Sequence, residues 1–198
     1  MARKPKADLY ISADVEADGP IPGGFSMLSF GLAVAARYDG REFTRPPSGE
    51  ATFYRELQPI SDGFDPEALA VSGLDRDHLQ QTGYPPRTAM CEAYRWVRDV
   101  AGDDRPVLVA YPLSYDWLWL YWYFVSFSDE GSPFGHSSCL DIKTLYQQKA
   151  GVVVSRATKR QMPRQLMPGR RHTHHALDDA IEQGELFANI WEWDPSAG

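Results

Sequence analysis

The stretch Leu9-Tyr10-Ile11-Ser12-Ala13-Asp14-Val15-Glu16-Ala17-Asp18-Gly19 decides the fold. Leu9, Ile11, Ala13 and Val15 fall on one side of an extended chain, and Tyr10, Ser12 and Asp14 on the other, which is the two-residue period of a β-strand. The run Asp-Gly-Pro-Ile-Pro-Gly-Gly over 18–24 then breaks the strand. Residues 27–38 are mostly small or apolar, Asp39-Gly40 turns the chain back, and 51–57 read as a third strand. Three sequential strands joined by short connections make an antiparallel meander.

Beyond Pro59 the period changes from two to 3.6. Pro66 begins a short helix, Asp75 caps another near 77–81, and 88–100 set Met90, Ala93, Tyr94 and Val97 on one apolar stripe. Residues 106–110 form a compact apolar strand, and after Pro112 a helix over 116–124 is opened by Asp116. A loop through 128–138 leads to Leu140-Asp141-Ile142 and a helix near 143–149, and a final helix runs from about 175 to 189. Its buried side is expected to carry Leu177, Ala180, Ile181, Gly184, Phe187 and Ala188, with Asp178, Glu182 and Glu185 outside. A meander feeding alternating helices and strands predicts an α/β domain, a mixed sheet covered by helices.

The length of 198 residues predicts a single domain, 1–198, with a core over about 9–191 and flexible tails at 1–8 and 192–198. Hydrophobic residues make up 43% and charged residues 24%, so the chain is neither disordered nor fibrous. Cys91 and Cys139 are the only cysteines, which excludes a disulfide framework or Cys-rich zinc module and points to a reducing compartment. The basic start has no apolar segment behind it, and the apolar run 117–127 is too short to span a bilayer. The expectation is a cytoplasmic protein with no membrane association. A net charge of −7 argues against coating nucleic acid over a large surface, though not against holding a few nucleotides. Positive charge gathers over 151–176, where Arg156, Lys159, Arg160, Arg164, Arg170 and Arg171 occur without an acidic residue. That segment reads either as a solvated irregular loop or as a contact for phosphates.

Asp14 and Glu16, two apart, share a face at the C-terminal end of the first strand. Such a pair raises its own pKa unless a cation compensates it or water surrounds it. Asp179 lies one step nearer the apolar stripe of the last helix than Asp178, so that helix can carry it against the first strand. With Asp116, this makes four carboxylates from three separated segments. Such a set suits Mg2+ or Mn2+, whereas zinc would be expected to recruit cysteine or histidine. His172, His174 and His175 cluster at the head of the last helix, but neither cysteine is near and the carboxylates outnumber the imidazoles, against a structural zinc site. A histidine beside a carboxylate-held cation can instead take a proton from an attacking water.

These residues carry a resemblance. Asp14-Val15-Glu16-Ala17-Asp18-Gly19 resembles the first motif, Asp-x-Glu-x-x-Gly, of the DnaQ-like 3'-5' exonucleases of the DEDDh class; Tyr115-Asp116 resembles the second; His174 followed by four residues and Asp179 resembles the third. The tyrosine subclass would need Tyr at position 175, where this chain has His175. The three occur in family order from residue 9 to about 191. The resemblance implies a ribonuclease H-like fold, a five-stranded mixed sheet whose first three strands are antiparallel, flanked by helices. It also implies hydrolysis at single-stranded DNA or RNA 3' ends with release of nucleoside 5'-monophosphates, using two divalent cations, Mg2+ or Mn2+. Asp14 would bridge both ions, Glu16 and Asp179 would hold the ion that activates water, Asp116 would act on the second largely through water, and His174 would be the general base.

The expected substrate contacts are Asp18, Gly19, Met27, Leu28, Trp117, Arg164 and Arg170. Asp18 stands where the family often has a small hydroxyl residue near the terminal nucleotide, and the insert 20–25 lengthens the same turn. Met27 and Leu28 are candidates for a wedge under the last base, and Trp117, directly after Asp116, for stacking; most of the other aromatics between 111 and 127 must be core. Asp141 resembles a family position that supports the fold and stays outside the metal set. A monomer or homodimer is expected. The alternatives are a catalytically silent nucleic-acid or protein-binding module on the same fold and a hydrolase of short oligonucleotides.

Overall fold

The computed structural model describes residues 6–170 and 172–196; Arg171 of the basic stretch and the outer tails, 1–5 and 197–198, lie outside the described residues. The first strand, β1 (Asp8–Ala17), runs antiparallel to β2 (Met27–Tyr38), with Asp14 opposite Gly31 and Glu16 opposite Ser29. The outer edge of the long β2 is shared by two strands, the two-residue β3 (Phe43–Thr44) and β4 (Thr52–Glu56). On its other side β1 pairs in parallel with β5 (Arg105–Ala110), which pairs in parallel with β6 (Cys139–Asp141). The order β3-β2-β1-β5-β6, with β4 also on β2, is the expected ribonuclease H-like sheet, with one more strand because the turn after β2 makes its own short pairing.

Helices α1 (Pro66–Ser72), α2 (Arg76–Thr82) and α3 (Pro86–Ala101) follow the meander; α4 (Leu113–Phe127) follows β5; α5 (Ile142–Ala150) follows β6; and α6 (Ala176–Glu192) closes the chain. Among the described residues, the basic stretch between α5 and α6 is irregular apart from three single 3-10 turns. Local chemistry sets these ends. Asp65 and Asp75 accept from the first free N–H groups of α1 and α2, and Asp141 does the same for α5.

The strand period divides the core. Leu9, Ile11, Ala13 and Val15 pack with α3 and α4 on one face, while Tyr10 joins α5 and α6 on the other. Asp14 and Glu16 therefore point to the α6 side, past the C-terminal end of β5, where open α/β sheets place their ligands. Among the described residues, no helix is long and apolar enough to cross a membrane.

Three expectations are corrected. Helix α4 begins at Leu113, so Asp116 lies inside the first turn instead of opening the helix. Glu182 is buried, not solvated, because Lys159 from the basic stretch covers it as an ion-pair partner. Residues 6–8 are tied down rather than forming a tail: Lys6 pairs with Asp103 at 2.8 Å, and the Ala7 carbonyl accepts from Arg105 N–H at 2.8 Å.

Candidate active site

Three carboxylates converge from two elements. Asp14 and Glu16 come from β1 and Asp179 from the first turn of α6, with one oxygen of each lying within 4.8 Å of the others. The helix can approach because the sheet is bare beneath it. A Cβ on Gly31 would lie 2.4 Å from the Ala176 carbonyl oxygen, and one on Gly184 would lie 3.2 Å from Ala35. Asp179 has no exposed surface, and it accepts from the N–H groups of Thr173 and His174, both at 2.8 Å. Those bonds fix the loop entering α6, where His174 has a φ of 57°, a left-handed backbone that ordinary side chains rarely adopt.

Asp116 arrives from the third direction. The β1–β5 ladder ends at Ser12, so the Val15 N–H lies beyond it, and Asp116 Oδ1 accepts that hydrogen at 3.0 Å. The carboxyl is thereby held beside Asp14. Asp141 supports this placement by accepting from Leu113 N–H at 2.8 Å while also capping α5. It is a brace, as the sequence suggested.

The electrostatics follow from burial. Asp14 is held well above the usual carboxylate range, first by desolvation and then by the charges of Asp116, Glu16 and Asp179, with Lys159 opposing. Glu16 is pushed up to about 7 by burial and by Asp179. Burial also raises Asp116, against the hydrogen bond from Val15. The group is thus short of positive charge. Its donors are all carboxylate oxygens, and a hard divalent cation relieves the repulsion that otherwise drives protons onto them. The residues suit such an ion.

Two contributors are absent from the sequence reading. Gln183 donates to Asp14 Oδ1 at 2.6 Å and accepts from Tyr111 N–H at 2.6 Å, tying β1 to the end of β5. Its spacing of four from Asp179 on one helix was the available signal. Lys159 pairs with Glu182 and lies over the Tyr111 ring, 5.5 Å from its centroid. Nothing in sequence separates it from the other basic residues of its loop. His175 is the cap of α6 and stacks on Tyr54 at 4.7 Å.

Several expected substrate contacts are placed differently. Asp18 has no exposed surface; it pairs with Arg76 and accepts from Ser26 N–H at 2.6 Å, so it closes the turn. Met27 and Leu28 are fully buried and present no wedge, because β2 begins there and turns both into the core. Gly19 is also buried, since any Cβ would strike the Phe25 ring at 2.1 Å. These four are corrected to structural roles. Trp117 is half-buried and stacked on Tyr121 at 5.3 Å. Arg164 is exposed, and Arg170 is engaged with Glu185 at 3.1 Å.

A ribonuclease H-like sheet with an acidic cluster at the carboxyl ends of its strands defines a class, the metal-dependent nucleases of that superfamily. The chain is 34% identical over 184 residues to the 3'-5' DNA exonuclease Cap18 of Escherichia coli, covering 92% of this chain and 91% of the relative. No sequence-family profile matches it. In fold it is similar to the nuclease domain of 3'hExo, a DEDDh family member bound to rAMP, with a TM-score of 0.67 at 12% identity over 97% of this chain and 94% of that one. It is also similar to Schizosaccharomyces pombe Pop2p in its Mg2+ and Mn2+ bound form, with a TM-score of 0.60 at 16% identity over 91% and 82%. The chain belongs to the DEDDh 3'-5' exonucleases, metal-dependent enzymes acting at nucleic-acid 3' ends.

Proposed function

We propose that the protein is a single-domain exonuclease that removes nucleoside 5'-monophosphates from the 3' end of single-stranded DNA. The observation that carries this is the convergence of Asp14, Glu16 and Asp179 beside His174, with Asp116 braced against β1. DNA is favoured because the relative at 34% identity is named a DNA exonuclease. Asp14, Glu16, Asp116 and Asp179 would hold two divalent cations, Mg2+ or Mn2+. When bound, such cations neutralise charge on the attacking and leaving oxygens of an in-line displacement.

The protein's own groups do the rest. His174 is exposed at the rim and takes the proton of the attacking water. Gln183 and the Val15 N–H keep Asp14 and Asp116 aimed into the cluster. Tyr115, whose hydroxyl donates to the Gly19 carbonyl at 3.2 Å, ties the start of α4 to the turn after β1 and so shapes the mouth. Trp117 offers a face to the terminal base, and Arg164 and Arg170 offer charge to upstream phosphates, Arg170 in competition with Glu185. Two free cysteines accord with a cytoplasmic setting, and the protein would work as a monomer or homodimer.

A time course on end-labelled single-stranded DNA and RNA of equal sequence, in magnesium, in manganese and with chelator, tests the reading. Stepwise shortening of DNA from the 3' end, faster than of RNA and abolished by chelator, is expected. Internal cuts, or a rate indifferent to chelator, would overturn it.

A further inference from the structure

His172 has no part in the three family-like motifs, yet its Nδ1 lies 3.0 Å from Asp179 Oδ2. Its ring meets His174 edge to face, with centroids 4.4 Å apart. One ligand atom each from His172, His174 and Asp179 fall within 4.8 Å of one another, a second group of donors that shares Asp179 with the carboxylate cluster. We propose that these three residues form a second cation site, selective for a borderline metal such as Zn2+, which silences the exonuclease when filled.

The donor chemistry separates the two sites. Two imidazoles and a carboxylate match the three protein ligands of open zinc sites, whereas magnesium prefers an all-oxygen set. The site is built before any ion arrives. Asp179 fixes the loop through the Thr173 and His174 N–H groups, and the left-handed backbone of His174 is held by those bonds, so little ordering remains for an ion to impose. It is also open: the His172 side chain is 47% exposed and His174 faces solvent, while Asp179 is the buried anchor.

Silencing follows from the lone pairs. An imidazole nitrogen that ligates zinc cannot accept a proton from water, and the Asp179 oxygen given to zinc is withdrawn from the other cluster. This consequence rests on His174 being the general base; the site itself does not.

The test uses cobalt(II), whose visible absorption reports nitrogen ligation, titrated into the full chain in excess magnesium. A saturable band is expected, displaced by zinc. His172→Asn should weaken binding at least by the roughly tenfold that loss of even an outer-shell partner costs. His174→Asn, which removes a second nitrogen, should do the same, and Asp14→Asn should leave the band in place. A band lost in Asp14→Asn and kept in both histidine variants would place the ion in the carboxylate cluster and overturn the site. In the activity arm, zinc added to magnesium-loaded protein should slow wild type more than His172→Asn, and equal inhibition of both would overturn the silencing. The two readings fail separately: cobalt bound through His172 in a chain with no nuclease activity in magnesium keeps the site and removes both the exonuclease reading and the silencing.

Discussion

Asp14 stands at the centre of the cluster, where burial first and then three other carboxylates raise its proton affinity, with Lys159 opposing them. Asp14→Asn keeps the Gln183 hydrogen bond, since an amide oxygen accepts as well as a carboxylate, and removes one charge from a buried group. We predict that the metal-free variant melts higher than wild type at pH 8 while its hydrolysis rate falls roughly 10²-fold or more, the usual cost of losing a preorganised electrostatic contact. Retention of more than a tenth of the wild-type rate in magnesium would remove Asp14 from the metal set. His174 and His175 separate in the same way. His174→Asn is the appropriate variant because asparagine tolerates the left-handed backbone found there, and its rate should fall by about 10²–10⁴-fold with little loss of stability. His175→Ala should instead lower stability by about 1 kcal/mol or less, the scale of a helix cap, and leave the rate closer to wild type. The opposite pattern, measured by single-turnover rates and melting, would shift the general base by one residue.

At the scale of elements, the position of α6 decides the site, since it delivers Asp179, Gln183 and the loop bearing His174. That helix lies on β2 through Gly31, opposite Asp14 in the ladder. Gly31→Ala would force its first turn away from the sheet, because the atoms it meets are backbone and cannot rotate aside. Overpacking of this kind costs about 1–3 kcal/mol. Magnesium affinity should fall with the stability, as measured by the shift in melting temperature on adding the ion. A variant that loses stability but keeps wild-type magnesium affinity would show that Asp179 is placed independently of the helix seat. The register of β1 on β2 also shifts between Glu16 and Ala17, so the strand bends just after its second carboxylate.

For the whole molecule, the raised carboxyl pKa values become a dependence of stability on pH. Asp14, Glu16 and Asp116 all bind protons more tightly folded than unfolded, where carboxyls titrate near about 4. The folded state thus holds more protons than the unfolded one above that pH, and the stability present below it is lost as pH rises through the folded values, about 7 for Glu16. Metal-free protein should melt progressively lower from pH 5 to pH 8, and magnesium should reverse the loss most at the alkaline end; a flat profile without metal would contradict the burial of the cluster. Much of this was written in the sequence. The alternation over 9–15, the turn residues after it and the 3.6-residue period beyond Pro59 determined the strands, helices and meander, because those patterns are local consequences of which side chains a pleat or a helix turns inward. The spacing of Asp14 with Glu16 likewise put that pair on one face of its strand, the spacing of His174 with Asp179 put the imidazole just ahead of the helix that carries the carboxylate, and residue types alone pointed to a hard cation. Tertiary structure decided what depends on where elements end and meet. Asp18 vanishes into the interior because Arg76 and the Ser26 N–H close on it, Met27 and Leu28 because β2 is covered on both faces, and Glu182 is buried because Lys159 folds over it from a loop without a period. Gln183 meets Asp14 only when α6 crosses β1, a contact between residues far apart in the chain that no local pattern encodes, and His172 reaches Asp179 only because the loop entering α6 folds back onto the first turn of that helix.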